Sequence, residues 1–194
     1  MNAFENWFCA SSLWLYVTHR KLLPWILQDA DLGEHLLEVG AGPGAATQEL
    51  QRRCARVTSL EYSHKFAAEL QVRQNSNGAR GTVGVVQGDA ASLPFARNTF
   101  SSAIAVLMLH HLRSNELQDR AFAEIFRVLR PCGVFLAFEI EDSWLHRVGH
   151  LRSTFVPLEP ISVFARMESA GFSRIAVDHR SGGFRLHAQR PEKS

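Results

Sequence analysis

The stretch His35-Leu36-Leu37-Glu38-Val39-Gly40-Ala41-Gly42-Pro43-Gly44-Ala45-Ala46-Thr47 constrains this chain more than any other. A short apolar run carries an acid, and three glycines follow at alternate positions. A helical pattern over 45–54 comes next. This is the signature of a strand, a tight turn and a helix N-terminus. Glycine accepts the positive φ of a sharp turn and lets a ligand lie against bare peptide groups. An αβ turn without a ligand does not call for three glycines and an acid two residues before them.

The rest of the chain repeats the strand–helix alternation. Residues 2–29 show apolar side chains near a 3.6 period, from Phe4 and Phe8 to Val17 and Leu22, with Pro24 opening or kinking a second short helix over 25–28. Trp7, Trp14, Tyr16 and Trp25 make this region aromatic. They staple an added helix to the core or roof a pocket. A second strand over 56–60 ends at Glu61, and Ser63 is placed to cap a helix over 64–73. Strand three covers 82–87 and closes with Gly88-Asp89-Ala90. Strand four, 102–107, is almost wholly apolar, as a strand covered on both faces should be.

Asn115 and Gln118 suggest a capping box for a helix over 116–129, with Arg127 and Arg130 in its last turn and Pro131 ending it. Strand five follows at 134–140, with Glu139, Glu141 and Asp142 at its exit, read as solvated or pocket-lining. Residues 143–158 are irregular or weakly helical, and a helix over 159–170 stops at Gly171. Strands at 174–180 and 184–190 form a hairpin around Ser181-Gly182-Gly183, and Arg174, Arg180, Arg185 and Arg190 are expected on a solvated face. The pattern predicts an α/β fold, a Rossmann-like doubly wound, mostly parallel sheet with a C-terminal antiparallel hairpin. One domain spans 1–194: a helical cap at 1–30, a ligand-binding core at 35–140 and a substrate-side segment at 141–194.

Composition narrows the function. A net charge of +2 marks no nucleic-acid surface. No apolar run approaches the roughly 18–20 residues of a membrane span. Asn2 and Glu5 stand where a signal peptide carries its basic region, so a cytoplasmic protein is expected. Cys9, Cys54 and Cys132 are too far apart for a zinc spacing and odd in number, which suits reduced, mostly buried thiols.

Ligands of open α/β sheets bind outside the carboxyl ends of the strands. Glu38, Glu61, Asp89, Leu107 and Glu139 all fall at those ends. Glu38 suits a ligand ammonium. Glu61 lies 21 positions after Gly40, near the ~20 expected of a carboxylate that accepts ribose hydroxyls. Asp89 suits an exocyclic amine, and the Ala90 N–H a ring nitrogen. Tyr62 and the Val106–Leu107 edge flank a purine. An adenosine with an amino-acid tail meets each term. A dinucleotide is served less well, because Glu38 would repel a pyrophosphate.

With these residues in place, the sequence resembles class I S-adenosylmethionine-dependent methyltransferases, closest to the small-molecule group that includes ubiquinone/menaquinone-biosynthesis methylases. The resemblance covers roughly 35–140. It rests on Glu38-Val39-Gly40-Ala41-Gly42-Pro43-Gly44, Glu61, Gly88 to Phe95, Leu109-His110-His111, and Glu124 with Val128 to Gly133. It implies S-adenosyl-L-methionine as cofactor. Glu38, Gly40, Ala41 and Gly42 would hold the methionine part, Glu61 the ribose, and Asp89 with Ala90 the adenine, while Val106 and Leu107 lie alongside. Two positions depart from the pattern. Ser101 replaces an Asp, and Cys132 stands in place of the first glycine of a Gly-Gly turn. A positive φ at Cys132 would cost about 1 kcal/mol.

No catalytic residue follows from spacing. His110 and His111 are the candidates to bind the acceptor or take its proton; they also fit a purely structural role. The acceptor is expected to be a small, largely apolar molecule between the N-terminal aromatic helix, these histidines and the 143–158 segment. No metal is expected. His146 and His150 stand at i, i+4, but Arg147 occupies the place where a zinc-protease motif needs Glu. The Asn/Asp-Pro-Pro-aromatic tetrapeptide of amino-group nucleic-acid methylases is absent, so no nucleic-acid partner is expected. Gly40-x-Gly42-x-x-Ala45 also fits a dinucleotide fingerprint, which keeps an NAD-type oxidoreductase open, as well as a non-catalytic module with the same pocket.

Overall fold

The computed structural model describes residues 11–28, 30–75, 81–150, 153–180 and 182–192. Trp7, Cys9 and most of the first expected helical turns lie outside them. Seven strands form one sheet: β1 His35–Val39, β2 Arg56–Glu61, β3 Thr82–Gln87, β4 Phe100–Val106, β5 Leu129–Ile140, β6 Ser173–Arg180 and β7 Gly183–Gln189. Their order is β3-β2-β1-β4-β5-β7-β6. The first five run parallel, while β7 lies antiparallel between β5 and β6. The expected doubly wound sheet with a closing hairpin is the observed one.

Strand alternation builds two cores, one on each face. Leu37, Val39, Ala103, Ala105, Phe135 and Ala137 point into one, where Phe122, Ile125, Val163 and Phe172 meet them. Leu36, Ile104 and Leu136 point into the other, against Leu23, Ile26, Leu27 and Leu50. Both faces are covered, which is why Leu36, Leu37 and Val39 in β1 and the 103–106 run in β4 are apolar on both sides of the sheet.

The N-terminal segment is α1 Ser12–Val17, a π-helical turn Thr18–Leu22 and α2 Leu23–Leu27, with Pro24 in the first turn of α2. His19 Nε2 donates to the Ala45 carbonyl at 2.7 Å and ties this segment to the glycine turn. Then come α3 Thr47–Arg53, α4 His64–Asn75, a 3-10 turn Leu109–His111, α5 Asn115–Val128, α6 Trp144–Gly149 and α7 Pro160–Ser169. No described helix is long and apolar enough to cross a membrane.

Several local expectations are corrected. Ser114, not Asn115, caps α5, its Oγ accepting the Leu117 N–H at 3.3 Å. Gln118 is buried and instead donates to the carbonyls of Leu109 and Val156. α5 ends at Val128, so Pro131 does not stop it and Arg130 lies in β5, paired with Glu34. Cys132 adopts φ 63° and is exposed, with its amide on the Arg190 carbonyl at 3.0 Å. Ser101, where the resemblance leads one to expect an Asp, ties β4 to the entry of β1. Its Oγ accepts the His35 N–H and faces the carbonyls of Leu32 and His35. Arg185 and Arg190 are buried rather than solvated, because neighbouring carbonyls take their guanidinium protons.

Candidate active site

The chain turns back at β1. It steps outward to β2 and β3, then returns to β4 on the other side. Such a reversal opens a crevice at the carboxyl ends of the central strands. Glu38, Glu61 and Asp89 stand at or just past the ends of β1, β2 and β3, and Leu107 just past β4.

The glycine turn is anchored by β2. The amides of Gly40 and Ala41 both donate to the Leu60 carbonyl, at 2.8 and 3.1 Å. Gly40, Gly42 and Gly44 have φ of 77°, 53° and 87°. A Cβ on Gly40 would sit 2.6 Å from Met108 Cβ. A Cβ on Gly42 would meet nothing within 4 Å. Gly40 is therefore required by close packing across the crevice, and Gly42 borders open space.

Glu61 is anchored by two backbone amides. Its Oε2 accepts the Gly42 N–H and its Oε1 the Ser63 N–H, each at 2.8 Å. A carboxylate has about four lone-pair sites, so each oxygen keeps capacity for a hydroxyl. Glu38 is buried, and its Oε2 accepts the hydroxyls of Thr47 at 2.7 Å and Ser59 at 2.6 Å. Ser59 is its register partner on β2, which puts both side chains on one face. Burial pushes the Glu38 carboxyl above its usual value, partly offset by the two hydroxyls, and Glu61 adds to the rise. A cation beside Glu38 would relieve that cost.

Asp89 is exposed, its Oδ1 accepting the Ala91 N–H at 2.9 Å, and Ala90 is buried beside it. The turn is held from below by a clamp that the sequence reading missed. Glu124 Oε2 accepts the Leu93 N–H, and Arg127 donates to the carbonyls of Leu93 and Phe95. Tyr62 is 71% exposed, and Val106 and Leu107 are half-buried. Leu107 holds φ 54°, a left-handed conformation that costs on the order of 1–3 kcal/mol outside glycine, fixed by its N–H on the Phe138 carbonyl.

Beyond Leu107 stands a group whose centre the sequence reading misassigned. Glu139 is fully buried rather than solvated or pocket-lining. Its Oε1 accepts the amides of Met108 and Leu109 at 3.1 and 2.8 Å, and its Oε2 faces His110 Nδ1 at 2.5 Å. Its place at the exit of β5, one strand from the histidines, was the available signal. His110 is buried and His111 half-buried, with ring centroids 4.2 Å apart. The i, i+4 histidine pair does not act as a pair. His146 Nδ1 faces the Glu141 carbonyl, while the His150 ring lies 5.1 Å from that of His110.

A row of acids and an open glycine edge fit S-adenosylmethionine, which carries a cation, a ribose diol and an adenine. Comparison with known proteins agrees. The family described as "Methyltransferase domain" matches residues 37–137, and the chain belongs to it. It has the class I fold of S-adenosylmethionine-dependent methyltransferases. The family match decides against the dinucleotide reading that the glycine turn alone had left open.

Among relatives, a demethylmenaquinone methyltransferase of Thermobifida fusca is 37% identical over 105 residues, 54% of this chain. The chain spans 43% of that relative's length, less than half. The ubiquinone/menaquinone biosynthesis C-methyltransferase UbiE of Brucella canis is 26% identical over 192 residues, covering 84% of this chain and 70% of its own. Among solved structures, phosphoethanolamine N-methyltransferase 2 of Haemonchus contortus, in complex with S-adenosyl-L-methionine, superposes with a TM-score of 0.75 at 14% identity. It covers 98% of this chain and 60% of its own.

Proposed function

We propose that this chain transfers a methyl group from S-adenosylmethionine to a small, apolar or aromatic acceptor in the cytoplasm. The observation that carries the reading is the Glu61 carboxylate, held by the Gly42 and Ser63 amides beside the open edge of the glycine turn. Glu61 takes the ribose hydroxyls. Glu38 balances the methionine ammonium next to Gly40, Ala41 and Gly42. Asp89 and Ala90 bind the adenine, with Tyr62, Val106 and Leu107 flanking it.

The cofactor supplies an activated methyl on a sulfonium. The protein's part is alignment and exclusion of water, worth about 7–11 kcal/mol when the reacting atoms are held in line. In this reading the acceptor lies beside His110, His111 and Phe155, under the N-terminal segment that His19 ties to the glycine turn. His110 is held by Glu139 in the tautomer with the proton on Nδ1. With its Nε2 unligated, His110 would give a hydroxyl acceptor about 10²–10⁴-fold as a base. The names of the quinone-methylating relatives support a quinol-like or phenolic acceptor.

Calorimetric titration with S-adenosylmethionine, S-adenosylhomocysteine and NADH tests the cofactor assignment. Micromolar binding of the first two and none of the third is expected; NADH binding alone would overturn it. Transfer of labelled methyl to a panel of quinols, phenols and sterols then tests the acceptor class. Labelling of a protein or nucleic acid with none of the small molecules labelled would sink that part.

A further inference from the structure

Three histidines from two separate stretches converge at the carboxyl edge of the sheet. His110 and His111 belong to the 3-10 turn after β4, and His150 caps α6. One ring nitrogen from each lies within 4.8 Å of the other two. Each Nδ1 faces an oxygen. Glu139 Oε2 stands 2.5 Å from His110, the Thr154 carbonyl 3.2 Å from His111 and the His146 carbonyl 2.7 Å from His150. An oxygen at Nδ1 fixes the proton there and makes Nε2 the lone-pair nitrogen. Ring packing alone explains Phe155, stacked on His150 at 4.5 Å between centroids. It does not explain an oxygen behind every ring.

We propose that His110, His111 and His150 bind a divalent transition-metal ion of the zinc type through Nε2, with Glu139 as the outer carboxylate that orients His110. Three imidazoles backed by a carboxylate match a three-histidine zinc centre with an open fourth position. The all-nitrogen donor set disfavours Mg²⁺ and Ca²⁺, which take oxygen ligands. Around tetrahedral zinc with bonds of about 2.0–2.1 Å, ligand nitrogens stand about 3.4 Å apart. The three rings already bring one nitrogen each to within 4.8 Å of the other two, and side-chain rotation brings the Nε2 atoms to the tetrahedral spacing on binding. The fourth position takes a water or an oxygen of the acceptor. That last role rests on the acceptor placement proposed above; the binding of metal does not.

The test uses untagged full-length protein, stripped with chelator and titrated with zinc chloride by calorimetry, with metal content measured after dialysis. One zinc per chain is expected. His111→Ala and His150→Ala should each weaken binding by at least about 100-fold, and Glu139→Gln by about 10–100-fold, the usual effect of losing an outer-sphere partner. Cobalt(II) in place of zinc should give the visible absorption of a four-coordinate ion. Absence of stoichiometric zinc, or unchanged affinity in folded histidine variants, would overturn the proposal. If a variant does not fold, the wild-type stoichiometry and the cobalt spectrum still decide. S-adenosylhomocysteine is titrated in parallel. Its binding without zinc uptake sinks the metal site alone, and zinc uptake without its binding sinks the proposed cofactor site alone.

Discussion

The Glu61 carboxylate and the Gly42 amide meet at 2.8 Å, so the end of β2 holds the glycine turn in the shape that leaves its edge open. Glu61 thus has two tasks, shaping the turn and meeting the ligand. Glu61→Ala should lose charge-assisted bonds worth about 1.5–3 kcal/mol, or roughly 10–150-fold in cofactor affinity. Titration of the folded variant with S-adenosylhomocysteine measures this. Unchanged affinity would refute the ribose role.

The two glycines should fail differently. Gly42→Ala meets no neighbour but must hold φ 53°, at a cost of about 1–2 kcal/mol. Its methyl enters the space assigned to the cofactor, so affinity should fall more than stability does. Gly40→Ala adds a contact of 2.6 Å with Met108 Cβ to a φ of 77° and should lower the melting temperature more. Thermal melts beside titrations separate the pair. Equal losses of stability in both would contradict the packing argument.

Glu38 links cofactor binding to pH. Its folded pKa lies above the ordinary 4.5 because burial disfavours the charge. The folded state then binds more protons than the unfolded one between 4.5 and the raised value, so stability falls as pH rises through that window. Glu38→Gln can still accept the Thr47 and Ser59 hydroxyls, removes this slope and should melt higher at pH 8. It should also lose the partner of the ligand ammonium, at roughly tenfold or more in affinity. Melting curves from pH 4.5 to 8.5 should converge for the two proteins at the acid end. A parallel offset at every pH would disprove the linkage.

Glu139 anchors the turn that carries the histidines. Glu139→Ala strands the Met108 and Leu109 amides in the core, at about 1–3 kcal/mol each. Glu139→Gln keeps an oxygen for one side and should recover much of the stability. Denaturant unfolding of both variants checks the order. Equal stability of Ala and Gln would mean that water or another group takes over the two amides.

What the sequence made legible was local and periodic. The strand ends follow from apolar runs that stop at Glu38, Glu61 and Asp89, and the glycine turn from its own composition. The hairpin around Gly182 and Gly183 was equally readable. What stayed hidden depends on partners distant in the chain. Glu139 looks like an exposed exit acid until β5 lies beside β4 and the Leu109 amide points at it, 30 residues away. Gln118 resembles a capping residue, yet the Val156 carbonyl, 38 residues on, claims its side chain. His150 sits in a plausible i, i+4 pair with His146, and only the packing of α6 turns it toward His110 and His111.

Arg190 shows the same effect on stability. Read as part of a solvated face, it is instead buried, and one guanidinium nitrogen donates to the carbonyls of Leu129 at 2.5 Å and Phe126 at 3.0 Å and to Asn98 Oδ1 at 2.8 Å. Those carbonyls belong to the last turn and exit of α5, where the helix leaves its acceptors without amide partners. The guanidinium also lies 4.7 Å from the centre of the Phe126 ring. The first residue after β7 therefore caps a helix from across the sheet. Arg190→Ala should cost about 2–4 kcal/mol, since buried carbonyls lose a charged donor. For a chain of this size that lowers the melting temperature by roughly 5–15 °C. Arg190→Lys supplies one charge without the planar fork and should restore less than half of the loss. A melting temperature within about 2 °C of wild type for Arg190→Ala would show that water satisfies these carbonyls and that the capping role is wrong.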